Sequence, residues 1–210
     1  MVKRIKKVTK GKVTRERKKL VVIGAEGLNK TEILYFKELE NKQNVYHCIF
    51  ARGSETDPVK IVLNTAKKAR KEEVSFQKGD MAISVFDLDV DEAKYAQLEE
   101  ARVEAGKRNV RIVSSNPCFE IWYLEHFGYT TKPFIDSNAV IRELEKKMPG
   151  YRKNRCDFDT LYPKTEEAII NCEKLDKYHA DNNVDVEFAN PRSSVYKIVK
   201  ILFDKGGEQL

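Results

Sequence analysis

The apolar run Met81-Ala82-Ile83-Ser84-Val85-Phe86 leads directly into Asp87-Leu88-Asp89-Val90-Asp91. Side chains on a strand alternate between faces, so the three acids share one face if the extended geometry continues. Same-facing carboxylates at the end of a buried strand suit a divalent cation. Hard ions take oxygen ligands, and bound charge relieves the repulsion between the acids. For an Asp-x-Asp taken alone, a solvated acidic loop is the equal alternative. Other polar residues follow apolar runs in the same way: Glu26 after Lys19 to Ala25, and Asn116 after Val110 to Ser114.

The elements that must position these residues alternate in type. Lys19–Ala25 reads as a buried strand, followed by a loop and a helix over Glu32–Glu40 capped by Asn29 or Thr31. Val45–Ala51 is a second strand. Asp57 then caps, and Pro58 opens, a helix to about Glu73 with Val59, Val62, Leu63 and Ala66 on one face. The Asp-rich strand is third, and a helix from Asp91 to Ala105 follows with Gly106 as its C-cap. Val110–Ser114 is a fourth strand, and Phe119–Phe127 a short apolar helix. This alternation predicts an α/β fold, a parallel sheet flanked by helices, with ligands at the carboxyl ends of the strands. Glu26, Asp87 and Asn116 fall at such ends. Arg52 lies on the same edge, within reach of a phosphate.

The chain divides into a basic disordered arm (1–18), a core (19–127) and a helical extension packed on it (128–210). The extension holds helices over Ala139–Lys147, Lys164–Asp181 and from Ser193 through Leu202. Its loop Met148–Arg155 places Arg152, Lys153 and Arg155 beside Tyr151, which reads as a nucleic-acid cleft or as a solvated loop.

Charge is unevenly distributed over the 210 residues. The formal net charge is +6, but residues 1–20 hold ten Lys or Arg against one acid, leaving −3 for the remainder. A basic arm of this kind attracts phosphate backbones without regard to sequence, or serves as a solubilising tail. No apolar run approaches the length of a membrane span. Cys48, Cys118, Cys156 and Cys172 are too scattered for zinc or a disulfide framework, which points to buried thiols in a reducing cytoplasm. With no Gly-x-x-x-x-Gly-Lys-Ser/Thr loop, ATP hydrolysis by this chain is not expected.

Four segments carry a resemblance: Glu26-Gly27-Leu28-Asn29-Lys30-Thr31-Glu32-Ile33-Leu34-Tyr35-Phe36, Val85-Phe86-Asp87-Leu88-Asp89, Ser115-Asn116-Pro117-Cys118-Phe119-Glu120-Ile121-Trp122, and Asn190-Pro191-Arg192-Ser193-Ser194-Val195-Tyr196. In this order, over about residues 19–203, the chain resembles the RloB family, named from genes near bacterial restriction loci. RloB proteins are similar to Toprim domains, the Rossmann-type fold of topoisomerases, primases and several nucleases. The resemblance implies a glutamate after the first strand, Glu26, and an Asp-x-Asp after the third, Asp87 and Asp89. The chain departs from the family at Ala25, where an acidic or threonine-like residue usually precedes the Glu-Gly.

What the resemblance implies is a nuclease using Mg²⁺ or Mn²⁺ in antiviral defence. It would cut RNA (a host tRNA among the candidates) or DNA, with a partner ATPase or sensor. Asp87 and Asp89 are the expected metal ligands, and Glu26 a further ligand or general acid/base. Asp91 is either a further ligand or a helix cap. Glu32 is a supporting acid or a favourable charge in a first helical turn. Asn116 and Glu120 support the metal shell, or cap and charge a helix. His126 lies off Glu120's helical face and contributes only if it turns toward substrate. The alternatives are a non-catalytic subunit that binds nucleic acid or a partner, and nucleotidyl transfer of the primase kind.

Overall fold

A computed structural model of the chain describes residues 17–26, 30–43, 45–51, 53, 56–153, 155 and 157–203. The first 16 residues of the basic arm, Gly27 to Asn29, Arg52, Asn154 and Cys156 lie outside the described residues. The elements are β1 (Lys19–Gly24), α1 (Thr31–Gln43), β2 (Tyr46–Ala51), α2 (Pro58–Lys71), β3 (Met81–Asp87), α3 (Glu92–Arg108), β4 (Arg111–Asn116), α4 (Glu120–Glu125), α5 (Ser137–Lys147), α6 (Phe158–Leu161), α7 (Thr165–Asp181), β5 (Arg192–Ser193) and α8 (Val195–Phe203). The strands form one sheet in the order β2-β1-β3-β4-β5. The first four are parallel, as the alternation of elements predicts, and β5 runs antiparallel to β4. No described helix is long and apolar enough to cross a membrane.

Period-two alternation sends the strand residues to two cores. Val21, Ile23, Ile83 and Val85 join α1, α4, α5, α7 and α8 on one face, while Val22 and Ala82 meet Val62, Ala69, Ala101 and Ala105 of α2 and α3 on the other. The aromatic residues of α1 and α4 are core. Tyr35 lies 5.4–6.1 Å, ring centroid to centroid, from Phe36, Phe119, Trp122, Tyr123 and Phe158, largely edge-on, and each such pair adds roughly 0.5–1.5 kcal/mol beyond the area it buries. Gly24 lets α2 come close to β1, because a Cβ there would collide with Thr65 Oγ1. The Thr65 hydroxyl donates to the Ile61 carbonyl (2.7 Å) and accepts from Ser84 on β3 (2.9 Å). One helix residue thereby fixes the ends of two strands against each other.

Several local expectations are corrected. Leu63 is exposed, and Ile61, Val62, Thr65 and Ala69 form the buried face of α2. Gly106 lies inside α3. The helix ends at Asn109, whose φ of 53° is left-handed, a conformation asparagine tolerates better than most residues. Asp136 caps α5, accepting from the Ala139 N–H at 2.6 Å. Residues 128–210 also supply a strand as well as helices. Ser115 pairs with Ser193 and Asn116 with Arg192, so the extension closes the sheet beside β4. Arg192 is buried there and held by Asp176 (3.3 Å) and Glu187 (2.9 Å).

Glu125 is fully buried at the end of α4, and neither carboxyl oxygen has a hydrogen-bond partner among the described residues. Burial alone raises its carboxyl to about 8. The folded protein therefore holds a proton that the unfolded chain releases above its ordinary value of 4.5, so stability falls as pH rises between these values. Glu125→Gln is expected to remove this loss, of the order of 5 kcal/mol in full, so that the variant outlasts the wild type in denaturant at pH 8–9 and not at pH 5. A stability difference independent of pH would contradict it.

Candidate active site

Glu26, Asp87 and Asn116 stand at the carboxyl ends of β1, β3 and β4, which are adjacent in the sheet. The extended geometry of β3 stops at Asp87. Asp89 and Val90 take left-handed φ values of 52° and 56°, so the chain turns instead of continuing the alternation. This turn is tied to the end of β4. The N–H groups of Leu88, Asp89 and Val90 donate to the Ser115 carbonyl (2.9 Å), the Pro117 carbonyl (2.9 Å) and Asn116 Oδ1 (3.1 Å). A left-handed valine costs roughly 1–2 kcal/mol, and these bonds offset it.

The turn separates the three aspartates. Asp91 caps α3, accepting from the Ala93 N–H at 2.8 Å, and leaves the metal-ligand reading to Asp87 and Asp89. Asn116 is fully engaged in positioning, since its amide also donates to Tyr95 (3.1 Å) and to the Phe188 carbonyl (2.9 Å). His126 is buried behind α4. It is edge-on to Trp122 at 4.6 Å, with Nδ1 2.8 Å from the Trp122 carbonyl, and burial lowers it to about 4. It is therefore neutral at pH 7 and part of the core.

Glu32 and Glu120 belong to the acidic cluster. Glu120 is buried, and its Oε1 accepts from Thr31 (3.1 Å) and Tyr151 (2.9 Å). Glu32, buried in the first turn of α1, is raised to about 7, first by burial and further by the charges of Glu120 and Glu26. Asp87 is half-buried. Desolvation, then the carboxylates of Glu32, Glu120, Glu26 and Asp89, raise it well above its ordinary value.

Three lysines face this negative charge: Lys30, 3.8 Å from Glu26 Oε2, Lys94 and Lys153. Lys94 Nζ lies 3.2 Å from Glu26 Oε1, 2.7 Å from Asp89 Oδ2 and 3.0 Å from the Asp87 carbonyl. Burial works to lower it, but hydrogen bonding to Asp89 and the charges of Glu26 and Asp89 carry it above its ordinary value. Lys153, which is exposed, is also raised. Desolvation opposes the shift, and the charges of Glu120, Cys118, Asp87 and Asp89 produce it. Lys153 thus belongs with the carboxylates. Arg152 and Arg155 are exposed, and Tyr151, buried against Tyr123 with its hydroxyl on Glu120, offers no ring for a base to stack on. The expectation for Arg52 lies outside the described residues.

Among the described residues no three His, Cys, Asp or Glu side chains are grouped so as to hold a metal ion. Glu26 and Asp89 are joined through the Lys94 ammonium. The atoms that accept from that ammonium are all oxygens, two carboxylate oxygens and the Asp87 main-chain carbonyl, the atom type a hard divalent cation prefers, and the ammonium stands among them as a monovalent cation. In donor chemistry, therefore, Glu26, Asp87 and Asp89 fit such an ion. Lys94 is the residue that motif reasoning passed over. Its signal was positional: three residues after the Asp91 cap, it lies on the helical turn that folds back over the end of β3.

Comparison with curated proteins and with solved structures finds no significant match. A family model described as RloB-like protein matches residues 21–202, from β1 to α8. That span includes every strand core and each described carboxylate of the site, and on it the chain belongs to the RloB-like protein family.

Proposed function

We propose that this chain is a metal-dependent phosphodiesterase, a Toprim-type nuclease that cleaves RNA or DNA in antiviral defence. The observation that carries the reading is the cluster of Glu26, Glu32, Asp87, Asp89 and Glu120 at one sheet edge, whose charges add to desolvation, the larger cause, in holding Asp87 well above its ordinary value. So much negative charge at the carboxyl ends of parallel strands calls for a bound cation. Glu26, Asp87 and Asp89 would hold Mg²⁺ or Mn²⁺, which would neutralise the scissile phosphate and activate water or a hydroxyl.

The chain's own groups have complementary tasks. Glu32, at about 7, exchanges a proton near neutrality, which suits a general acid or base. Lys153 presents a positive charge to an incoming phosphate. Lys94 balances Glu26 and Asp89 while no other cation is bound. A defence role, with a partner ATPase or sensor to release the activity, is the setting suggested by resemblance to genes near restriction loci.

One observation favours a second reading, a non-catalytic subunit that binds nucleic acid or a partner: the lysine already occupying the carboxylates. The two readings separate with purified chain, mixed RNA and DNA, and Mg²⁺ or Mn²⁺. Cleavage that EDTA stops, and that the Asp87→Ala/Asp89→Ala double variant lacks, is the expected result. Absence of cleavage together with no heat of metal binding in calorimetry would favour the binding subunit, and cleavage by the double variant would sink the proposed site. Sequencing the nucleic acids cut in cells expressing the wild type and not Asp87→Ala would then identify the substrate.

A further inference from the structure

Helix α5 opens beside the candidate site, and the hydroxyl of its first residue does not serve the helix. Asp136 caps α5 by accepting from the Ala139 N–H at 2.6 Å. The Ser137 hydroxyl donates instead to Asp89 Oδ1 at 3.1 Å, across 48 positions of sequence. Asp89 Oδ2 accepts from the Lys94 ammonium at 2.7 Å, and that ammonium also reaches Glu26 Oε1 at 3.2 Å. The two oxygens of one carboxylate are thus held by different parts of the chain, Oδ1 by the helical extension and Oδ2 by α3.

Ser137 is itself firmly placed. Val140 and Leu144 of α5 are fully buried in the larger core, together with Ile121 and Leu124 of α4. The chain ahead of the helix is locked to the segment before β5, where the Phe134 N–H donates to Asn190 Oδ1 (3.1 Å) and the Asn190 amide donates to the Phe134 carbonyl (2.7 Å). The Asp89 side chain has no comparable packing, since it is 46% exposed. An exposed carboxylate samples several rotamers, and ordering it on binding costs affinity unless a partner has already fixed it.

We propose that Ser137 is a positioning residue for Asp89: its hydroxyl holds Oδ1 and so keeps Oδ2 on the side of Glu26, ready for a divalent cation. The inference rests on the metal-dependent reading of the site. Hydrogen bonds from outside a metal site orient the carboxylates that ligate it, and Ser137 supplies such a bond. Lys94 and Ser137 are the hydrogen-bond partners of the Asp89 carboxylate among the described residues. When the ammonium gives way to a divalent cation, Ser137 keeps its bond, because it occupies the other oxygen. The helical extension thereby serves the site as well as the sheet edge, carrying the order of α5 and Asn190 to a carboxylate of the core.

The test is isothermal titration calorimetry of Mg²⁺ into the full chain and into Ser137→Ala, Ser137→Thr, Lys94→Met and Lys94→Met/Ser137→Ala. Ser137→Ala is expected to weaken Mg²⁺ binding about tenfold, the low end for a lost partner of a ligating group, because water partly replaces the hydroxyl at an exposed carboxylate. Ser137→Thr keeps a hydroxyl and is expected to restore the wild-type affinity. The same loss is expected between Lys94→Met and the double variant, where there is no lysine to displace. A role confined to the start of α5 would move the melting temperature in EDTA and leave the Mg²⁺ affinity unchanged. Unchanged affinity in Ser137→Ala, equal weakening in Ser137→Thr, or a loss that disappears in the Lys94→Met background would each overturn the inference and leave the metal-dependent reading standing. Absence of any heat of Mg²⁺ binding to the wild type would defeat that reading, and this inference with it.

Discussion

Asp87→Asn is expected to abolish phosphodiester cleavage, a loss of a thousandfold or more by the order of magnitude of metal-assisted catalysis, while making the fold more stable at neutral pH. Both effects have one cause. Desolvation and the charges of Glu32, Glu120, Glu26 and Asp89 make an ionised Asp87 unfavourable, so its carboxyl is raised well above 3.8. The folded state therefore binds a proton that the unfolded chain loses, and stability is lost as pH rises from the ordinary carboxylate range toward the raised value. Asparagine is never charged and escapes this loss. Glu32→Gln serves as the calibrated companion: with Glu32 raised from 4.5 to about 7, the variant is expected to gain up to about 3 kcal/mol above pH 7 and nothing below pH 4. Thermal melts at pH 4 and pH 8 in EDTA, run beside cleavage assays, check the pair. Cleavage within tenfold of wild type, or a melting gain for Asp87→Asn that fails to grow with pH, would defeat the assignment.

Lys94→Met is expected to lower the melting temperature in EDTA by about 5–10 °C and to have much less effect in saturating Mg²⁺. The lysine side chain is 15% exposed and Glu26 11%, so removing the ammonium leaves a largely buried carboxylate with only the half-exposed Lys30 ammonium, 3.8 Å away, as counter-charge. A cost of about 2–3 kcal/mol follows, below the full figure for a buried pair because Asp89 is 46% exposed and solvent screens it. A divalent cation held by the same oxygens restores the missing charge. The variant is also expected to bind Mg²⁺ more tightly than the wild type, which must first displace its lysine. Equal melting losses with and without Mg²⁺ would show that Lys94 acts only in packing.

Much of the positioning was legible because it is local. The Asp57-Pro58 start of α2, the apolar β3 run and the cap at Asp91 each depend on residues a few positions apart, and the alternation of strands and helices predicts the parallel sheet. The missing parts depend on residues distant in sequence or on conformations outside ordinary propensity. Nothing in Leu88-Asp89-Val90 announces two left-handed residues, because a valine is among the last to be expected there. The turn exists because the end of β4 and the residue after it supply acceptors at Ser115, Asn116 and Pro117. Lys94 reads as one charge among many on a mixed helix until the turn brings it over Glu26. Tyr151 reads as part of a solvated basic loop until its hydroxyl is found on Glu120, 31 positions earlier. β5, two residues long, is below the length at which alternation can be recognised at all.

That short strand has a consequence for the order in which the molecule can be made. Every described carboxylate of the site precedes residue 121, yet the outer edge of β4 is bonded by Arg192, Ser193 and Ser194, nearly 80 positions after its own residues. Pairing across such a separation is slow to form, and during synthesis it waits until residues 192–194 have emerged. A nascent chain stopped before residue 190 would hold all five acids beside an exposed strand edge, ready to pair with another chain. Closure of the sheet beside the site is thereby coupled to synthesis of the segment around residues 192–194.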